Sequence, residues 1–315
     1  MKRILIMLGL LAGCAVVPKV PEMPVEKPVP PQETVAPQAR PAAVPARAAP
    51  PRVALVLGGG AVRGFAHIGV IKVLEAQGIM PDLIVGTSAG SVVGALYAAG
   101  YGGFELQRIA FKLEEDSVGD WILPDRGFIK GEALQNYINK AVRGVQIEKL
   151  KKPFAAVATD LQSGEIMVFR RGNTGQAVRA SSSVPGVFQP VNINGRDYVD
   201  GGLTSPLPIR VARNLGADVV IAVDISARPS AARIGGVTDV LMQAIAIMEQ
   251  SLRNDELPEA DVLIRPNTTG FGSADFTKKH EAILEGETAA QAALPLIREK
   301  IRQAAERKQA AYVPR

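Results

Sequence analysis

The sequence is poor in the residues that most often carry chemistry. It has one cysteine, two histidines and one tryptophan in 315 residues, and aromatic side chains make up 5%. One cysteine excludes an internal disulfide. Two histidines, His67 and His280, exclude a histidine-rich metal site and leave few partners for a Ser–His–Asp arrangement. The apolar stretch of the N-terminal segment, Ile4 to Leu11, is far shorter than the roughly 20 residues that cross a bilayer core as a helix. An excess of charge is also missing from the body. Residues 1–52 hold seven Lys or Arg against three Asp or Glu, leaving 29 against 28 for the rest, so most of the net +5 sits in the head. A near-neutral body carries no nucleic-acid footprint. What the chain does have is 47% apolar and 21% charged residues, the balance of a globular protein able to bury a core, which excludes wholesale disorder and a coiled coil.

The head reads as an address and a tether. Met1-Lys2-Arg3, then Ile4 to Leu11, then small residues up to Cys14 have the layout of a secretory signal over residues 1–13. Leu11-Ala12-Gly13-Cys14 resembles the lipobox of bacterial lipoproteins. That resemblance implies cleavage before Cys14, a diacylglyceryl group on its sulfur and an acyl chain on the new amino terminus, hence membrane attachment through Cys14. The following residue is Ala15, not the aspartate of the inner-membrane retention pattern. The expectation is an outer-membrane lipoprotein whose folded domain faces the periplasm. Residues 14–52 form the lipidated cysteine and a linker. Eleven of the 23 prolines lie between Pro18 and Pro51, which removes backbone donors and favours extended polyproline II. At ~3.1 Å per residue this tether reaches on the order of 100 Å.

From residue 53 the chain alternates strands and helices. Val53 to Leu57 is a short apolar, β-branched run, as a buried strand requires. Phe65 to Gln77 has helical character and stops at Gly78. Asp82 to Val85 is the next strand, and Ser91 to Ala99 a helix ended by Gly100. Two βα units in succession indicate a parallel sheet covered by helices. Further helices are expected near 104–113, 131–141 and 237–253, with a charged tail helix over 276–309. Phe154–Thr159 and Glu165–Phe169 read as a hairpin; Asp218–Asp224 and Asp261–Arg265 read as buried strands. One α/β domain over 53–310 accounts for the pattern.

Two glycine-rich turns stand out. In Gly58-Gly59-Gly60-Ala61-Val62-Arg63-Gly64 the first two glycines of a dinucleotide fingerprint are in place, but its sixth position is Arg63 and the glycine arrives one residue late. That weighs against a nucleotide-binding domain and leaves a loop suited to presenting backbone N–H groups to an oxyanion. The second turn, Gly86-Thr87-Ser88-Ala89-Gly90, fits Gly-x-Ser-x-Gly between a strand and a helix, the context of a nucleophile elbow. A serine nucleophile needs a base. His280 follows Ser88 but sits in the charged run Thr-Lys-Lys-His-Glu, a solvated helix surface, and His67 precedes it in an apolar helix, the setting of a core histidine. A carboxylate is the alternative. Asp200, before Gly201 and Gly202 at a strand end, is one candidate, although Asp-Gly-Gly alone also reads as an ordinary turn.

Taken in order, Gly58 to Gly64, Gly86 to Gly90 and Asp200-Gly201-Gly202 resemble the motifs of the patatin-like phospholipases. The similarity extends to Arg63 through Val70, Gly127 through Glu132, Ala158 through Leu161 and Ala180 through Phe188, and covers roughly residues 53–300. The resemblance implies a three-layer α/β/α fold with a mainly parallel central sheet, and a serine acyl hydrolase of the carboxylic ester class acting on fatty acyl esters of membrane lipids. It implies Ser88 as nucleophile, Asp200 as general base, and an oxyanion hole from the loop Gly58, Gly59 and Gly60, chiefly the N–H groups of Gly59 and Gly60. Arg63 would brace that loop or meet a phosphate or carboxylate. No metal or cofactor is implied, and the shortage of histidine agrees with a dyad. The rival reading is a non-catalytic, membrane-anchored binding or scaffold protein on the same fold, for which a missing Ser or Asp is expected; both are present. Other polar residues read as structural: Asp160, Ser163 and Gly164 in the hairpin turn, Ser181 to Ser183 packing or capping near Pro185 on a helix that could lie beside the site, Asp224 at a strand end, and Trp121 and Phe128 lining core or cleft.

Overall fold

A computed structural model describes residues 48–112, 131–226, 236–272 and 275–312. Residues 1–13, Cys14, the linker as far as residue 47, Trp121 and Phe128 lie outside the described residues. Among the described residues eight strands form one sheet: β1 (Val53–Leu57), β2 (Leu83–Thr87), β3 (Phe154–Asp160), β4 (Ile166–Phe169), β5 (Val191–Ile193), β6 (Arg196–Asp200), β7 (Val219–Val223) and β8 (Val262–Ile264). The α-helices among the described residues are α1 (Phe65–Ala76), α2 (Ala89–Ala99), α3 (Gly103–Lys112), α4 (Glu132–Ala141), α5 (Thr174–Ser181), α6 (Ile209–Asn214), α7 (Val237–Glu256) and α8 (Lys279–Ala311).

Strands β3, β2, β1, β7 and β8 run parallel in that order, and β4, β6 and β5 add antiparallel pairings. The parallel strands are buried on both faces, which is why Val53–Leu57 and Val219–Val223 are continuous apolar runs without alternation. Side chains still point alternately to the two sides. Leu55, Leu57, Ile84, Phe154 and Ile221 face a cluster shared with α1, α2, α3, α4 and α8. Ala54, Val56, Val85, Val157 and Ala222 face a second cluster around Leu207, Ile209 and Val211 at α6. Helix–sheet–helix layering follows, and each fully buried Leu or Ile adds about 1.5–3 kcal/mol.

One detail of the sheet positions the site. β4 pairs along one edge of β3. The opposite edge is shared: β2 runs parallel to its first half, with Thr87 beside Val157, and β6 runs antiparallel to its second half, with Asp200 beside Ala158. The two strands therefore meet end to end, each at its C-terminus, against consecutive residues of β3.

The expected helices and strands are present with ends shifted by a few residues. α2 starts at Ala89, directly after Ser88. Asp160 turns the β3–β4 hairpin, its Oδ1 accepting the N–H groups of Gln162 and Ser163 at 3.0 Å each. α5 was read only as a helix without bounds carrying Ser181, and α6 was not read from the sequence.

Candidate active site

Ser88 sits between the last residue of β2 and the first of α2, with φ 52° and ψ −122°. A non-glycine residue at positive φ is strained, and this one is fixed from several sides. Its N–H donates to Ser181 Oγ at 3.0 Å, and that hydroxyl donates to Val157 O on β3 at 2.5 Å. Its carbonyl accepts Ser91 Oγ at 2.7 Å and Ser91 N–H at 2.8 Å. Close approach, not unusual dihedrals, requires the flanking glycines. A Cβ on Gly86 would collide with Gly90 O, and one on Gly90 with Leu57 O. The tight turn and the helix behind it leave the N–H groups of Ala89 and Gly90 without a partner among the described residues, at the positive end of the helix dipole.

Asp200 is almost wholly buried where β6 ends beside that turn. Its N–H donates to Ser183 O at 2.9 Å, and its carbonyl accepts Thr159 Oγ1 at 2.9 Å. Oδ1 accepts the N–H of Gly202 at 2.7 Å, while Oδ2 is buried with no hydrogen-bond partner among the described residues. Burial pushes this carboxyl from 3.8 up to about 7; the Gly202 N–H and the nearby Ser88 hydroxyl pull it back down, and Glu249 pushes it further up. The serine hydroxyl thus acts on the carboxylate while the pair stops short of a fully formed hydrogen bond. In ligand-free sites such bonds are often long and tighten with substrate.

The glycine loop lies against the serine: a Cβ on Gly59 would be 3.4 Å from Ser88 Cβ. Two of its three glycine N–H groups are already used, however. Gly58 donates to Val223 O at 3.1 Å and Gly59 to Pro206 O at 2.9 Å. Gly58 and Gly59, expected to serve an oxyanion, thus hold backbone carbonyls in this ligand-free arrangement. Gly60 and Ala61 N–H have no partner among the described residues. Positive φ falls on Ala61, at 52°, and Gly60 is required by space, since a Cβ there would lie 2.7 Å from Ile225 O.

Of the two roles expected of Arg63, bracing is the one its contacts display. It is buried, with Nε on Ile225 O at 3.0 Å and Nη1 on Phe271 O at 3.2 Å. His67 is fully buried and pushed down to about 4, chiefly by burial, so it is neutral and its Nε2–H donates to Gly58 O at 2.9 Å. It holds the loop, and its Nδ1 has no hydrogen-bond partner among the described residues. His280 is exposed and stacks on Phe111 at 4.1 Å. Asp224 pairs with Arg265 at 3.2 Å and Arg253 at 3.5 Å, a structural role.

Sequence reasoning missed two participants. Ser181, read as packing or capping on a helix that could lie beside the site, ties the elbow to β3 from 93 residues away, and no local signal marks that particular contact. Glu249 on α7 fills the space left by Gly202: a Cβ on that glycine would collide with Glu249 Oε1 and lie 3.2 Å from Asp200 Oδ1. Burial raises the Glu249 pKa, opposed by Arg63 and Arg253.

Residues 55–213 match the family model of the patatin-like phospholipases. An NTE family protein of Mycobacterium bovis is 39% identical over 183 residues, 56% of this chain and 49% of that relative. Patatin-like phospholipase domain-containing protein 6 of Mus musculus is 36% identical over 184 residues, 56% of this chain and 14% of that relative. The chain therefore spans about half the length of the mycobacterial relative and a small part of the mammalian one. VipD from Legionella pneumophila shares the fold at a TM-score of 0.53 and 14% identity, over 79% of this chain and 67% of that one. Since the family match spans half of the chain and takes in the glycine loop, the serine elbow and Asp200, the chain belongs to the patatin-like phospholipase family.

Proposed function

We propose that the domain hydrolyses fatty acyl esters of membrane lipids through a Ser88–Asp200 dyad. The observation that carries the reading is the buried carboxyl of Asp200, raised to about 7 and with no hydrogen-bond partner on Oδ2 among the described residues, beside a serine held at positive φ on an elbow. In the first step Asp200 Oδ2 takes the hydroxyl proton as Ser88 Oγ bonds to the ester carbonyl carbon. The tetrahedral oxyanion rests on free N–H groups, those of Gly60 and Ala61 and the first turn of α2, which are fixed before reaction. The carbon–oxygen bond to the alcohol breaks, and the proton on Asp200 passes to the leaving oxygen. In the second step Asp200 takes a proton from water, the hydroxide attacks the acyl-serine, and the proton returns to Ser88 as the fatty acid leaves. A pKa near 7 suits a group that must both accept and release a proton at neutral pH.

The same reading places the domain on a membrane through lipidated Cys14, in the outer membrane with the domain facing the periplasm, the proline linker giving it reach to lipid. A panel of chromogenic acyl esters of increasing chain length tests the hydrolase, with wild type and Ser88→Ala side by side. Turnover should fall by roughly 10⁴-fold or more in the variant, and a fluorophosphonate probe should label only wild type. Equal labelling of both proteins removes Ser88 from the mechanism, and no turnover of any ester by wild type favours the scaffold reading.

A further inference from the structure

α7 is built inside out. At 100° per residue, Val240, Leu241, Ala244, Ile247, Met248 and Ser251 fall on about one third of its circumference. All six are exposed, with Val240 at 56%, Ile247 at 54% and Met248 at 53%. No charged residue interrupts this stripe, which is roughly 16 Å long at 1.5 Å per residue. Three of the five charged residues of α7, Glu249, Arg253 and Glu256, point the other way, with Arg253 6% and Glu256 4% exposed; Asp255, exposed and paired with Arg210 at 2.6 Å, lies on the stripe's side one turn beyond Ser251, and Asp239 is exposed before the stripe begins. Glu256 accepts Ser205 Oγ at 2.6 Å and the Arg210 N–H at 2.9 Å. Glu249 abuts Gly202 beside the dyad. A helix on a water-facing surface has the opposite arrangement.

The apolar surface continues from the stripe to the reactive groups. Leu241 Cδ2 abuts Gly186, 2.9 Å from where a Cβ would stand. Gly186 lies in a loop with four half-exposed apolar residues, Val184, Pro185, Val187 and Phe188. The residues just before that loop hold the dyad, Ser181 Oγ taking the Ser88 N–H and Ser183 O the Asp200 N–H. Apolar surface therefore runs from the helix, across Gly186, to the segment that braces both reactive residues.

We propose that this stripe and loop dock on a lipid surface, with α7 lying in the interface plane so that an acyl chain passes from the membrane to Ser88 over apolar side chains. That the occupant is lipid rests on the hydrolase reading, since the ester bond such an enzyme attacks lies at the depth where headgroup meets acyl chain. α7 is not long and apolar enough to cross a bilayer, and a helix with one apolar face lies in the interface plane, its apolar side buried at the headgroup–acyl boundary.

The test uses the full chain carrying Cys14→Ser, so that no lipid anchor masks the effect. Ile247→Ser combined with Met248→Ser is compared with the parent for flotation with phosphatidylethanolamine/phosphatidylglycerol vesicles, for hydrolysis of those vesicles, and for hydrolysis of a soluble butyrate ester. Vesicle binding and vesicle hydrolysis should fall at least tenfold while butyrate turnover stays within twofold. Ile247→Trp is the opposite perturbation and should strengthen vesicle binding. Unchanged flotation in both variants overturns the docking surface. A parent that elutes as a dimer, dissociated by the serine substitutions, overturns it in favour of a second copy of this chain. Absence of turnover on every ester, with flotation still lowered by the serine substitutions, sinks the hydrolase reading and leaves the docking surface standing.

Discussion

Asp200→Asn should make the protein more stable and inactive at once, and the pH at which the stability appears is set by the structure. Burial raises the Asp200 carboxyl from 3.8 up to about 7. The folded protein therefore holds this proton more tightly than the unfolded chain does. Between those two values stability falls as pH rises, because folding must either keep a proton that solution would remove or bury a charge. The contribution is intact below about pH 4 and fully lost above the folded value. At about 1.36 kcal/mol per unit, a shift of about three units corresponds to an upper bound of about 4 kcal/mol. Asparagine keeps the shape and the Gly202 contact but carries no charge. Its advantage over wild type should thus grow by roughly 2.5 kcal/mol between pH 5 and pH 8. Glu249, Arg63 and Arg253 are common to both proteins and largely cancel. The measurement is urea unfolding of wild type and Asp200→Asn at the two pH values, alongside ester turnover. Turnover should fall about 10²–10⁴-fold, the usual worth of a general base, and the wild-type rate should rise with pH through about 7 as the carboxyl ionises. An Asp200→Asn variant with no greater advantage at pH 8 than at pH 5 would refute the claim that Asp200 is a desolvated carboxylate.

Two further perturbations address the loop and the tether. Gly60→Ala sets a methyl 2.7 Å from Ile225 O, so the backbone must move and turnover should drop about 10²-fold, the scale of one lost oxyanion donor; Gly59→Ala meets Ser88 Cβ at an ordinary 3.4 Å and should cost less. The reverse order in steady-state kinetics would return the donor role to Gly59. For the tether, metabolic labelling with a fatty-acid probe followed by membrane fractionation should mark wild type and not Cys14→Ser, and unlabelled wild type in the soluble fraction would refute the anchor while leaving residues 53–310 unaffected.

What could be read from the sequence was what is encoded locally. The serine elbow needs two glycines within five residues, and β1, β2 and α2 each carry their own pattern, so their positions came out within a few residues. Asp200 was found only through the order of three motifs, because Asp-Gly-Gly is also a common turn. Contacts made at a distance were not legible. Whether Gly59 is free to bind an oxyanion depends on Pro206 O, a carbonyl that only the folded chain brings close. The start of α5 escaped because Thr-Gly-Gln-Ala is a weak helical start, although Asn173 caps it by accepting the Gln176 N–H at 2.8 Å. The reversed polarity of α7 was hidden for another reason: its apolar residues recur at helical spacing whichever way the stripe faces.

The abutment of β2 and β6 makes β3 a ruler for the reactive pair. Thr87 and Asp200 lie against consecutive residues of that strand, so their separation is fixed by one peptide step of about 3.3 Å and not by the chain between them. Residues 100–153 leave the elbow at the end of α2 and return at the start of β3, and nothing in the spacing of the pair counts their number. The length of that stretch does not set the distance between the serine and the carboxylate, although Leu106 and Ala110 of α3 and Leu134 and Ile138 of α4 hold it to the core. A one-residue slip of β6 along β3 does disturb the pair, turning Asp200 to the other side of the sheet. Independence from the length of the connection and intolerance to slippage in the ladder are two results of the same arrangement.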